Sequence, residues 1–265
     1  MKKEFFSELE KILYEKNLKL KFELFDNFYE EFQKENLIFN HEHFAIFQNN
    51  TYEKIKILHP TRIRRPKSTN STQALAKIIH SIAHIEFSAI NLALDASYRF
   101  KNLPLKFYKD WLEVAKDEMR HFKLLNQALE ELNFEYGSLE AHENLEVALK
   151  ATKNSLKYRM GVVHRGLEAK GLDANPFVLK KIQNSNHSIK PFLKEILQII
   201  LEEEIIHVKK GDFWWNFAKD ERDDYLSLCR QFKEFNLAGK KLNDEARLKA
   251  GFSKQELEEL KDFYS

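Results

Sequence analysis

A single cysteine, Cys229, is all the thiol this sequence carries. That excludes an internal disulfide, and it excludes an appended rubredoxin-type iron centre, which needs a cluster of thiolates. Glycine and proline are scarce as well, 7 and 5 in 265 residues. A β-sandwich or barrel of this size needs more turn residues, so helices are expected. No run approaches about 18 uncharged apolar residues, so no bilayer span is expected. The opening MKKEFFSELEKILYEK carries acids throughout and lacks the apolar core of a secretory signal. Nor does one sign of charge dominate. A formal net charge of +2 gives no global pull towards nucleic acid or membrane. With one cysteine and no leader, the expected location is the reducing cytoplasm.

What is present is core-forming. Hydrophobic residues make up 43% of the chain and include 22 Phe, enough for a sizeable interior. Residues 1–70 read as an N-terminal extension ending in a basic connector, His59 to Ser68, where Pro60 and Pro66 argue against helix. Within it, Phe5, Phe6, Leu9, Ile12 and Leu13 have helical spacing, and the aromatic-rich stretch from Phe28 to Ile57 has room for short strands. Residues 71–218 read as four long helices. The first spans about 71–100, capped by Ser71 or Thr72. The second follows Pro104 and runs to about Leu132. The third spans about 139–171 and is closed by Asn175-Pro176, with a short helix after it. The fourth spans about 190–218. Residues 219–265 read as short helices packed on the bundle, one of them capped at Ser253-Lys254-Gln255-Glu256.

Polar side chains interrupt the apolar stripes of these helices. Glu118–His121 and Glu204–His207 are Glu-x-x-His pairs at the centres of the second and fourth stripes. Residues three apart share one face of a helix, so each pair points with its apolar neighbours towards a core. Glu86 and Glu168 fall on, or at the edge of, the first and third stripes. A core that accepts four Glu is prohibitive unless cations neutralise them. Four Glu and two His, spread over four helices, form the ligand set of a dinuclear carboxylate centre. Carboxylates bridge hard cations and imidazole suits iron, so two Fe ions are expected; Mn/Fe or Mn/Mn pairs use the same donors. Asp117 and Glu203, each just before a ligand Glu, are placed to accept from the ligand histidines across the site, with Arg120 pairing one of them. His164, one turn before Glu168, is a core or rim histidine beside the centre, and the glycines around it allow a π-bulge or a close helix crossing. Arg62, Arg64, Arg65 and Lys67 are candidates for contact with an anion, or simply a solvated loop.

At these residues the chain resembles the ferritin-like superfamily of di-iron carboxylate proteins. Within it, the chain is similar to the bacterial family known as domain of unknown function 455 (DUF455). The resemblance is carried by Arg64-Arg65-Pro66, AHIEFSAINLALD from Ala83, DEMRHF from Asp117, EAKGLDANP from Glu168, EEEIIHV from Glu202 and ARLKAGF from Ala246. It implies an all-α, ferritin-like four-helix bundle with a long crossover, and Glu86, Glu118, His121, Glu168, Glu204 and His207 as ligands. Wider relatives with this ligand set include O2-dependent hydroxylases. The expected function is therefore an O2-activating oxidoreductase of monooxygenase type. Its substrate is a small molecule or a modified RNA, its electron donor is external, and the chain acts as a monomer or homodimer. The alternatives are a bacterioferritin-like iron-oxidising or storage protein, and a non-enzymatic helical protein that metal only stabilises.

Overall fold

The structure is a computed structural model that describes residues 2–48, 52, 54–64, 66 and 68–264. It is all-α apart from one short parallel strand pair, β1 (Lys3–Glu4) with β2 (Leu37–Ile38). Helices α1 (Phe5–Tyr14) and α2 (Leu18–Gln33) form an N-terminal hairpin. Glu4 caps α1 by accepting from the Phe6 and Ser7 N–H groups. At the other end, buried Lys21 donates to the Ile12 and Leu13 carbonyls at 2.9 and 2.7 Å. These are the last-turn acceptors that a helix cannot satisfy by itself. Phe5 stacks on Phe39 at 4.3 Å and meets Tyr108 edge-on at 5.3 Å, which fixes the hairpin to the next long helices.

Four long rods follow. Helix α3 (Thr72–Arg99) is capped by Ser71, whose hydroxyl accepts from the Ala74 N–H. Pro104 precedes α4 (Leu105–Glu131), which packs along the length of α3. The fourth rod, α8 (Lys190–Ala218), packs on α4 and on the third rod. The apolar stripes of these three helices drive that packing.

The third rod differs from the sequence expectation of one helix over 139–171. Its first part is a separate short helix, α5 (Asn144–Thr152), lying on α3 and on the rod. The rod itself begins with α6 (Leu156–Tyr158), capped by Ser155. It continues as a π-helix (Arg159–Leu167) and then as α7 (Glu168–Gln183). Buried Arg159 takes over the end of α5, donating to the Leu149 carbonyl at 2.9 Å and to Asp95 of α3 at 2.5 Å. Pro176 does not close the rod but sits inside it. A proline there frees the carbonyl four residues earlier. That carbonyl, of Leu172, accepts from the Asn243 side chain at 3.2 Å instead.

The chain ends in α9 (Tyr225–Gln231), α10 (Asp244–Lys249) and α11 (Lys254–Tyr264). Ser253 and Glu256 cap α11 reciprocally. Buried Arg247 pairs with buried Asp173 through two bonds of 2.9 and 2.7 Å, tying α10 to α7. One hydrophobic cluster runs from Phe5 to Leu260 and includes residues of every rod. Among the described residues, no helix is long and apolar enough to cross a membrane.

Candidate metal centre

The four rods bring the six candidate ligands to one place. Atoms of Glu86, Glu118, His121 and Glu204 lie within 4.8 Å of one another. His207 joins them, its Nδ1 3.0 Å from Glu118 Oε1 and 3.4 Å from Glu204 Oε1. His121 Nδ1 is 3.2 Å from Glu86 and 3.3 Å from Glu118 Oε2. Glu118 thus presents one oxygen to each histidine. Glu168 opens α7; its Oε1 is hydrogen-bonded with His164 Nδ1 at 2.8 Å, and its buried Oε2 has no hydrogen-bond partner. The side chains of Glu118, His121 and His207 are fully buried. Those of Glu86, Glu168 and Glu204 keep 6, 8 and 13% of their surface. All six side chains are thus buried or nearly so, and the more exposed groups around them are Asp117, Glu203 and Arg120, at 36, 25 and 45%.

Two further carboxylates hold the histidine rings by an exchange between helices. His121 of α4 meets Glu203 of α8 through Nε2 at 2.7 Å, and His207 of α8 meets Asp117 of α4 through Nε2 at 3.3 Å. Arg120 bonds to Glu203 and lies 3.5 Å from Asp117. In each ring one nitrogen faces the cluster and the other is held by the residue that precedes the opposite helix's ligand Glu. Such an outer bond fixes both the orientation and the tautomer of a ligand imidazole.

The electrostatics are those of ionisable groups buried together. Burial, with the Glu118 carboxylate beside it, pushes Glu86 up to about 8. Burial and the charges of Glu204 and Glu118 push Glu168 well above its usual range. For His121 burial favours the neutral ring, but hydrogen bonds to Glu118, Glu203 and Glu86 outweigh it and raise the imidazole to about 12. His207 is likewise raised, its bonds to Asp117, Glu118 and Glu204 overcoming burial. The hydrogen bond from His121, helped by Arg120, brings Glu203 down to about 2. With no cation bound, protons and imidazolium rings neutralise the buried carboxylates, and divalent ions would replace them. The oxygen-rich donor set with two imidazoles, and the orphaned Glu168 oxygen, fit such ions.

Local backbone chemistry sets the third rod's contribution. The Glu168 N–H bonds to the Val163 carbonyl, five residues back, so the π-helix delivers its last hydrogen bond at the ligand itself. The wider turn changes the phase of the residues after it, which brings Glu168 from the edge of its stripe to the inside. Gly211 of α8 lies against this segment. A Cβ there would come within 2.6 Å of the His164 carbonyl carbon and oxygen. His164 is fully buried and its ring lies 3.9 Å from that of Trp111. Burial and the Arg159 charge hold it well below its usual value, as a neutral ring.

Other candidates lie elsewhere. Arg62 and Arg64 are exposed on the connector and take no part in the site's hydrogen bonds; Arg65 and Lys67 lie outside the described residues. Trp111 sits on the apolar stripe of α4, and periodicity carries no signal for its ring contact with His164. Nor does it reveal Tyr136, whose hydroxyl lies 3.0 Å from His84 Nδ1.

The family model described as protein of unknown function (DUF455) matches residues 14–258. A protein of Haemophilus influenzae, described only as an uncharacterized protein, is 40% identical over 207 residues, covering 73% of this chain and 70% of the relative. No solved structure matches the chain. The family match spans all four rods, both Glu-x-x-His pairs and most of the flanking helices, and the chain belongs to the DUF455 family.

Proposed function

We propose that the four rods form a ferritin-like bundle around two metal ions, iron by preference, and that the protein is an O2-activating oxidoreductase of hydroxylase or oxidase type. The substrate would be a small organic molecule or a modified RNA base. The observation that carries this reading is the reciprocal exchange of Asp117 and Glu203 between the two histidines. A buried structural ion pair needs no such outer carboxylates, whereas ligand imidazoles almost always have them.

Glu86, Glu118 and His121 would hold one ion; Glu168, Glu204 and His207 would hold the other, with Glu118 shared. Two ions so held supply redox electrons and a coordination position for O2. The chain's own residues do the rest. Asp117, Glu203 and Arg120 keep the imidazoles in place. Glu86, Glu168 and Glu204 are nearly buried, so a substrate would meet the centre in a largely enclosed site. Without a thiolate cluster in the chain, reducing equivalents come from an external donor.

The reading is tested by mixing anaerobic, ferrous-loaded protein with O2. The expected result is O2 consumption with a transient visible absorption band, both absent in Glu118→Ala. Metal uptake by wild type no greater than by Glu118→Ala would contradict it. Loaded protein that leaves O2 untouched would reduce the site to a structural one.

A further inference from the structure

A line of aromatic rings leads from the candidate centre to the surface, and the hydrogen bonding along it is graded. Glu168 and His164 share a hydrogen bond of 2.8 Å, and the His164 ring lies 3.9 Å from Trp111. Phe107 stands between the two indoles, 6.2 Å from Trp111 and 5.0 Å from Trp214. Trp214 in turn meets Phe213 at 5.0 Å and Phe217 at 5.1 Å, each about half exposed. Both indoles are buried, but their N–H groups differ. That of Trp111 has no partner, whereas Trp214 Nε1 donates to Asp110 Oδ2 at 2.8 Å. Asp110 is also bonded by the half-exposed Lys106.

That difference has a redox consequence. An indole that loses an electron becomes far more acidic at its N–H, enough for a carboxylate to share or take the proton. Trp111 has no base to receive the proton, so its oxidised form stays a high-energy radical cation. Trp214 has a carboxylate at hydrogen-bond distance, so loss of an electron and loss of the proton can proceed together. The pair therefore runs downhill from the inner ring to the outer one.

We propose that Trp111 and Trp214 form a two-step relay that carries a one-electron oxidising equivalent away from the metal centre when no substrate is there to receive it. The proposal rests on the O2-activating reading above. In the first step the O2-oxidised centre takes one electron from Trp111 and is reduced by one, leaving the Trp111 radical cation. In the second step Trp214 gives one electron to Trp111, which returns to its neutral form. The Trp214 Nε1 proton moves to the Asp110 carboxylate, leaving a neutral Trp214 radical. A soluble one-electron reductant such as a thiol restores Trp214 with an electron, and the Asp110 proton returns to the indole nitrogen. Without a thiol, O2 adds to the Trp214 ring radical to give a peroxyl radical, which one electron from a further ferrous ion in solution and the Asp110 proton convert to a hydroperoxide, an oxygenated tryptophan.

The test uses the full chain loaded anaerobically with ferrous iron, then exposed to O2 with neither substrate nor thiol. Metal content, a freeze-quenched electron paramagnetic resonance spectrum and peptide mass spectrometry of each tryptophan are the readouts. Wild type should show a tryptophan radical and oxygen addition concentrated at Trp214, suppressed when a thiol is included. Trp111→Phe should bind iron and consume O2 as wild type does, yet lose at least tenfold of the Trp214 oxidation. Asp110→Asn keeps a hydrogen-bond acceptor but cannot take the proton; it should shift the radical and the damage inward to Trp111. Unmodified Trp214 in wild type that has bound iron and consumed O2 would overturn the relay while leaving the oxidoreductase reading intact, as would equal Trp214 oxidation in Trp111→Phe. A chain that binds no iron, or binds it without reacting with O2, would overturn both.

Discussion

Glu118 is the residue on which the site turns, since it alone offers an oxygen to each histidine. That its partners would share a buried face was legible in the Glu-x-x-His spacing, since residues three apart lie on one side of a helix. Other buried histidines follow a different rule. His80 is fully buried, and its Nε2 accepts from the Gly137 N–H at 3.0 Å, so the ring must stay neutral to keep that bond. Burial brings it down to about 4 from 6.5. Its folded value is the lower one, so the unfolded chain binds the proton first as the solution is acidified. Stability is fully present above pH 6.5 and is lost as the pH falls from there through about 4. His80→Gln, which keeps an acceptor for Gly137 but does not titrate, should recover roughly 2 kcal/mol of the loss at the acid end. Denaturant unfolding of both proteins at pH 7 and pH 4.5 measures it; parallel losses would show that His80 is not responsible.

Among the elements, the third rod is where sequence and structure part. Helices α3, α4 and α8 were readable to within a residue or two because each carries a long apolar stripe and a clear start signal at Ser71, Pro104 or Pro191. The third rod hides its boundaries. The break between α5 and α6 carries no proline or glycine, and is held by Arg159 bonding back to Leu149 and Thr152. Pro176 reads as a stop, yet the carbonyl it orphans is satisfied by Asn243, a residue 71 positions later. No local pattern encodes either contact. The π-helix shifts phase between His164 and Glu168, so a stripe drawn at the ordinary helical period puts Glu168 at its edge. Gly211 makes the close passage of α8 over this segment possible. Gly211→Ala would push a methyl group into the His164 backbone, with nothing flexible there to yield. Overpacking of this kind costs about 1–3 kcal/mol. Thermal denaturation should show that loss, and metal analysis should show a lower ion content, because His164 and Glu168 move together. Unchanged metal content would mean that the crossing is not what positions Glu168.

At the scale of the whole molecule, the flanking segments share the interior of the four rods. Phe5 and Phe6 reach Tyr108 of α4, and Arg247 of α10 pairs with Asp173 of α7. The N-terminal hairpin matched no sequence motif, and its strand pair of two residues each is too short for any periodicity to reveal. This shared packing means that a change at the centre is felt throughout the core. Ions that displace protons from buried carboxylates should therefore stabilise the entire chain, by an amount that grows with the logarithm of their concentration over the dissociation constant. The most direct measurement is the number of metal ions per chain in protein purified from its own cells, together with the unfolding temperature before and after chelation. The account predicts two ions per chain, iron foremost, lost together in Glu118→Ala, and a clear fall in unfolding temperature when they are removed. A chain that carries no stoichiometric metal, or carries it equally well after Glu118→Ala, would contradict the claim that these six side chains are a dinuclear site.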